Sequence, residues 1–406
     1  MRVHVACAVL AGAVLPVGAG AQTLSLTESQ ALVRFSIESP RVQAVRAAVD
    51  VARAEVLVAG RWPNPRLTYN RESVVGVSEH MLLVSQVLPL TGRRGLDVRA
   101  ASARVDAVSS RVDDEIRRLR ADLRVAYTDL LAAQSREREL ARSRDRLRDL
   151  AEVIGRREAA GEAAGFDRLR ADREAIDIES DRAVAATERA RAQAMLVSFF
   201  PSALEGVVEA VTTERAMMLL PPLEDLIARA EASQPSLLAL GHELEAATLA
   251  ERAAGRRAIP EPELVAGTKS SNAGAGDTGT VVSLHVSLPL FARARPERAA
   301  AVARAAQVRA ESARLRLSLR AQITGWREAL LARRENAAAY RTAVTANAEQ
   351  IERIAQVSYE AGERGILELL DAYRVGASAR VRQIALDTAV REAEIELEYV
   401  SGWEIP

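Results

Sequence analysis

Two carboxylates, Glu368 and Asp371, stand three residues apart in the stretch YEAGERGILELLDAYR, residues 359–374. On a helix that spacing puts both on one face, here just inside the N-terminal end, after a turn bracketed by Gly362 and Gly365. Where copies of such a pair converge on a narrow opening they select cations and bind multivalent ones. The plainer chemistry is also open: exposed amide groups favour acid at any helix N-terminus. A second stretch echoes the first. Residues 161–169, GEAAGFDRL, repeat its order of glycine, acid and leucine between two long helical patterns.

The remaining chemistry is sparse. His80, His242 and His285 are scattered, with no metal-binding interval among them, and His285 falls on the polar face of a strand pattern. Cys7 is the only cysteine and lies in an apolar leader, so no thiol nucleophile, disulfide or cysteine metal site is expected after its removal. The glycine-rich run Ser271 to Asp277 opens no helix and reads as a loop, not a phosphate cradle. The chain is expected to be no enzyme and to need no cofactor. Formal net charge is zero, which removes any global attraction to nucleic acid, and Lys269 is the only lysine beside abundant arginine. Aromatics are few while Ala, Leu, Arg and Glu abound, the composition of long helices.

The elements that must position the acids repeat once along the chain. Residues 1–21 read as a signal peptide: Arg2, an apolar run from Val5 to Val17, then the small-residue site Ala19-Gly20-Ala21. A first repeat over 22–200 holds short helices broken at Ser39-Pro40 and Pro63-Asn64-Pro65, a strand pair near 66–88, and a long helical hairpin over 96–198. Residues 201–222 link it to a second repeat over 223–400, with Gln234-Pro235, a strand pair near 263–290 and a hairpin over 297–400; residues 401–406 form a tail. Matching positions differ by 195 to 201 residues, so the plan is a duplication with small insertions. Val105, Val112, Leu119, Ala126, Ala133, Leu140, Leu147 and Ile154 recur every seven residues, and Ile323, Leu330, Ala337, Val344 and Ile351 do so in the second half. Heptads this long mean coiled-coil packing, and a helix from Leu96 to Ile154, its end marked by Gly155, Gly161 and Gly165, would extend on the order of 90 Å. The two hairpins end at one level, so their tips are expected side by side.

The second strand pair alternates cleanly: Val282, Leu284, Val286 and Leu288 on one face; Val281, Ser283, His285 and Ser287 on the other. In a soluble protein such alternation is a half-buried antiparallel strand; in an exported chain it equally fits a strand with lipid on one side and a wet lumen on the other. Four strands cannot close a barrel, since about eight is the usual minimum, and open edges are untenable in a membrane. Chains must pool their strands.

Together these features resemble the TolC-type outer-membrane efflux factors, in particular the branch serving resistance-nodulation-division pumps, heavy-metal exporters included. The carriers are LSLTESQAL, RWPNPRLTYN, SQVLPLTGRRG, SLPLFARARPE and YEAGERGILELLDA, five motifs in the right order over nearly all of the mature chain. The resemblance implies a mainly α fold with a small β part: duplicated long-helix hairpins in an α-barrel, and four strands per chain in a shared, trimeric, twelve-stranded transmembrane β-barrel. It implies a homotrimer in the outer membrane of a Gram-negative bacterium, in contact with lipid, with most of the chain periplasmic. The partners would be a periplasmic adaptor and an inner-membrane pump. Glu368 and Asp371 match acids ringing the periplasmic opening. Tyr359 and Arg364 match residues that bond an acid, here Asp167, to hold that opening shut. Gly161, Glu162, Gly362 and Glu363 match the tips that meet the adaptor. Gln86 departs from the strand alternation, and aromatics for a membrane girdle are few.

Two other classes compete. A periplasmic adaptor has one hairpin flanked by strand-rich domains, and the duplication speaks against it. A structural coiled-coil surface protein would lack paired, proline-bounded strands at matching places in each half.

Overall fold

The computed structural model describes residues 23–160, 165–201, 207–212, 219–291 and 294–404. The expected leader with Cys7, and the predicted tip residues Gly161 and Glu162, lie outside that set. The first half runs β1 (Thr23–Leu26), α1 (Glu28–Glu38), α2 (Pro40–Ala59), β2 (Arg66–Val74), β3 (Val77–Val87), α3 (Arg93–Ala159) and α4 (Gly165–Val197). The second runs β4 (Val207–Ala210), α5 (Leu223–Ser233), α6 (Pro235–Arg256), β5 (Pro262–Ser271), β6 (Thr278–Val286), α7 (Arg295–Tyr340), a π-turn (Arg341–Thr345), α8 (Ala346–Glu360) and α9 (Ile366–Ser401). Among the described residues no helix is long and apolar enough to cross a membrane.

Local chemistry explains the short helices. Thr27 caps α1 with a full capping box: its hydroxyl accepts from the Gln30 amide while the Gln30 side chain accepts from the Thr27 amide. Pro40 and Pro235 each open a helix at its first turn, where the missing N–H costs nothing.

The four strands β2-β3-β5-β6 form one antiparallel sheet in that order. Its register aligns Leu67, Val84, Ala266 and Val282 in one row and Tyr69 with Leu82 in the next. Leu264 and Leu284 pair below them; this face is mainly apolar through these rows, with these leucines and valines exposed, and turns polar toward its outer end at Thr268, Thr280, Arg71 and His80. The opposite face carries Arg66, Asn70, Glu79, Lys269, Ser283 and His285. An apolar face left bare in the isolated chain is a lipid face. Gln86 stands on it, but at the end of β3, where its amide donates to the Pro63 and Val87 carbonyls. Four strands are too few to close a barrel by themselves, so closure needs strands from further copies.

A parallel pair, β1 with β4, was not foreseen in the sequence. It sits halfway down the helices, where the Tyr127 hydroxyl lies 2.8 and 2.7 Å from the Leu26 and Val211 carbonyl oxygens. Phe35, Leu123, Leu130, Leu196 and Phe199 pack beside it. Glu28, in the first turn of α1, is held by Arg124 of α3 at 2.7 Å and Arg391 of α9 at 2.9 Å, which ties the belt to both hairpins.

The long helix ends at Ala159, within the expected glycine-marked stretch; Gly155 lies inside it, where Arg168 of α4 passes 3.5 Å from the place of a Cβ. Glycine inside a helix costs only about 1 kcal/mol, which packing easily outweighs. One expectation needs correcting: the second-half heptad fails at its end. Ile323, Leu330 and Ala337 are buried, but Ile351 is half exposed and Glu352 is buried instead. The π-turn inserts one residue into the helical repeat and moves the buried stripe by one position.

Candidate functional site at the hairpin tips

The tips of both hairpins meet in one cluster. Leu147, Ala151 and Ile154 of α3 and Ala171, Ala175 and Ile178 of α4 pack with Ala355 of α8 and Ile366, Leu369 and Leu370 of α9. Each set follows heptad spacing, so the seam is knobs into holes with small residues where helices come closest.

The turn between α8 and α9 is closed by backbone bonds. Gly362 takes a φ of +75°, open to glycine at no steric cost, and the Glu363 amide donates to the Ser358 carbonyl at 2.9 Å. Arg364 and Glu363 project from this turn, fully exposed. Gly365 then starts α9 in an extended conformation.

Glu368 and Asp371 both lie on the exposed face of the first turns of α9, opposite the buried Leu369 and Leu370. Asp371 pairs with Arg374 at 2.8 Å, an exposed contact of little energetic weight that nonetheless places a cation beside the acid. Tyr359 ends α8 half-buried against the cluster, and the Arg157 guanidinium sits 5.5 Å from its ring centroid. Asp167 stands in the first turn of α4. Within the chain no hydrogen bond or ion pair joins Asp167 to Tyr359 or Arg364. At this tip Glu158 and Arg168 pair at 2.9 Å across the first hairpin.

Above the tips lies a group the sequence did not suggest. Glu352 of α8 is buried between Arg146 of α3 and Arg380 of α9, each 2.8 Å from one of its oxygens, and Arg380 also bonds Glu139 of α3. Gly376 of α9 makes the room: a Cβ there would lie 1.8 Å from Glu352 Oε1. Burial pushes the neighbouring Tyr373 hydroxyl pKa up, and the Glu352 charge adds to the shift. Arg157, Arg374 and this ionic group escaped notice because each reads as part of an ordinary charged helix face. The one available signal was a carboxylate next to a heptad isoleucine, with a glycine in the facing helix. Among the described residues no three metal-ligating side chains converge.

The second half, residues 226–402, matches the family model described as outer membrane efflux protein. The chain is 23% identical over 355 residues to the cobalt-zinc-cadmium resistance protein CzcC of Cupriavidus metallidurans, spanning 87% of this chain and 84% of that protein. A membrane protein from Pseudomonas aeruginosa superposes with a TM-score of 0.76 at 19% identity, covering 92% of this chain and 93% of that one. CusC, whose structures concern folding and transmembrane channel formation, superposes with the same score, 0.76, at 17% identity, over 93% and 92% of the two chains. The shared fold includes both the strand sheet and the long hairpins.

Proposed function

We propose that the chain belongs to the outer membrane efflux protein family, and that its trimer is the outer-membrane exit duct of a tripartite efflux system. The observation that carries the reading is the exposed, mainly apolar face of an open four-stranded sheet, set on long helices of which α3, at about 100 Å, is more than twice as long as a bilayer is thick. Such a sheet is stable in lipid only when closed with copies of itself. The duct passes cargo from a periplasmic adaptor and an inner-membrane resistance-nodulation-division pump to the exterior. It conducts passively, as a channel and not an enzyme. The name of CzcC makes divalent metal cations the first cargo to test; drugs suit the same passage.

In this reading the hairpin tips form the periplasmic mouth. Glu368 and Asp371 from three chains ring it with six carboxylates, partly offset by Arg374, and give it a preference for cations. Asp167 bonds Tyr359 and Arg364 of an adjacent chain to latch it, at about 1 kcal/mol per link on so wet a surface. Gly362 and Glu363, with Gly161 and Glu162, offer the turns an adaptor would grip.

Purified trimer in a planar bilayer is the test. Ala at both 368 and 371 lowers cation preference and weakens block by trivalent cations. Tyr359→Phe with Arg364→Ser raises conductance while trimers stay intact. A chain that stays a folded monomer in detergent, with its strands intact, would sink the assignment. Unaltered selectivity would return the two acids to simple helix-end duty.

A further inference from the structure

Heptad and buried stripe part company at Arg341–Thr345. Up to Ala337 they coincide. Beyond it the seam is taken by Thr345, Glu352 and Tyr359, each one residue later than the heptad positions Val344, Ile351 and Ser358. One extra residue in a helical turn rotates everything after it by about 100°. The sequence thus carries two registers for α8, and the structure occupies the one that buries a carboxylate in place of an isoleucine.

Apolar packing divides between the two: the occupied register buries Ala348 and Ala355 and packs Tyr359 on the tip cluster, while the other would bury Ile351 and Ile354, both now exposed. The occupied one is held by polar pairs: Arg146 and Arg380 on Glu352, and Arg157 over Tyr359. A carboxylate is buried this way only while its partners stay in place. Gly376 provides the space for Glu352, and any side chain there would meet it. At the far end of α8 the turn from Ala361 to Gly365 is wholly exposed, so it can absorb a residue released from the π-turn.

We propose that the π-turn is a register switch for the tip, with Glu352, Arg146 and Arg380 as the positioning residues that hold α8 in its offset setting. When their pairing is lost, the turn relaxes to α geometry and Ile351 enters the seam. Tyr359 then rotates off Arg157, and the two hairpin tips lose their polar contact. This rests on the reading of the tips as the mouth of the duct.

The test uses the full-length trimer in bilayers. Glu352→Gln raises open probability roughly tenfold or more, since uncoupling a buried charge pair shifts a two-state equilibrium by more than a decade. Deleting Ala343 removes the spare residue and leaves α8 facing as it does now, so in that background Glu352→Gln has no effect. Ile351→Glu, at an exposed position, burdens only the heptad register and lowers open probability. An unchanged Glu352→Gln channel, or a rise that survives the deletion, overturns the switch. Should Glu352→Gln not assemble, an unaltered Ile351→Glu channel overturns it equally. Currents that ignore these changes leave the duct itself standing, whereas a native chain that passes no current removes the duct reading and the switch with it.

Discussion

The two hairpins share one heptad plan yet behave differently along their length. In the first, α3 holds its register over 67 residues, from Arg93 to Ala159. In the second, the matching helix stops at Tyr340, passes through the π-turn and resumes as α8. The difference follows from surroundings. Helix α3 lies in the middle of the chain, flanked by α2, α4, α6 and α9; of its heptad positions Val112, Ala126, Leu140, Leu147 and Ile154 are buried and Val105, Leu119 and Ala133 half-buried. Helices α7 and α8 lie at one edge, with Leu317, Ile354 and Val357 bare; α4 lies at the other, with Phe166, Leu169 and Ile176 bare. In the proposed trimer these edges would meet and close the ring. A central helix satisfied on several sides has no freedom to slip, whereas an edge helix with one intrachain seam tolerates a spare residue.

The sharpest break in this comparison should come in the sheet, where the repeats also differ. Gly267 of β5 occupies the place that Asn70 holds in β2, five residues after Pro262 and Pro65 respectively. A Cβ at Gly267 would stand 2.0 Å from the Leu82 carbonyl oxygen, a backbone atom that no rotamer change can move. Strand β5 is an inner strand and β2 an edge strand of this sheet. Gly267→Val is expected to cost more than about 4 kcal/mol and abolish heat-resistant trimers, while Asn70→Val leaves them. Equal trimer yields would mean the sheet relaxes at β5 as freely as at its edge.

A second contrast isolates the π-turn. Leu330 and Ile351 occupy the same heptad position, three repeats apart, but Leu330 is 0% exposed and Ile351 50%. Leu330→Ala is expected to destabilise by about 2–5 kcal/mol, and Ile351→Ala by well under half of that. Denaturant titration of the helical signal, compared between variants, measures both. Similar costs would show that the heptad stays in register in solution.

Much of this architecture was legible from periodicity. Duplication, strand pairs and hairpins all leave repeated spacing, because each buries a face of fixed period. The β1–β4 pair left no trace, since four residues on each strand carry too little pattern to stand out. The π-turn was hidden for a different reason. Nothing in Arg341–Thr345 marks an extra residue, and Val344 and Ile351 satisfy the heptad that the folded chain abandons. At the tips, the acids Glu368 and Asp371 announced themselves by type and place. Arg157 and Arg374 did not, because an arginine matters there only through what folding brings beside it.

The groove where the hairpins adjoin, between α3, α4 and α9, offers a subtler comparison by pH. It is an open cleft of about 630 Å³, with Asp129 from the first half and Glu392 from the second among its lining. Burial raises both carboxyl pKa values, and the Asp129 charge raises that of Glu392 further. A carboxyl whose folded pKa is raised binds protons more readily folded than unfolded. Its contribution to stability is therefore greatest in mild acid and falls as pH climbs through the window between the two values. Asp129→Asn is expected to raise the trimer's dissociation temperature modestly at neutral pH and to leave it unchanged at about pH 3, below the window. A rise of the same size at both pH values would assign the effect to packing.

The smallest expected effect lies at the outer end of the sheet, where each repeat turns its strand pair. The second repeat uses a loop over 272–277, with Gly274 and Gly276 at the left-handed positions. The first repeat uses a two-residue turn with Val75 at φ +48° and Gly76 at +81°, so a β-branched residue takes a conformation it disfavours. Val75 is 98% exposed and packs on nothing that would repay the strain. What holds the turn is Asn272 of the neighbouring loop, whose Oδ1 accepts from the Ser78 amide at 2.6 Å. Asn at position 75 would complete the Asn-Gly pair this turn favours, so Val75→Asn is expected to stabilise by about 1 kcal/mol or less. The gain should be larger in an Asn272→Ala background, where the borrowed hydrogen bond is gone. Trimer dissociation temperatures of the four combinations decide it. An additive result would mean that turn conformation and the Asn272 contact act independently, and that the first repeat does not lean on the second at this end.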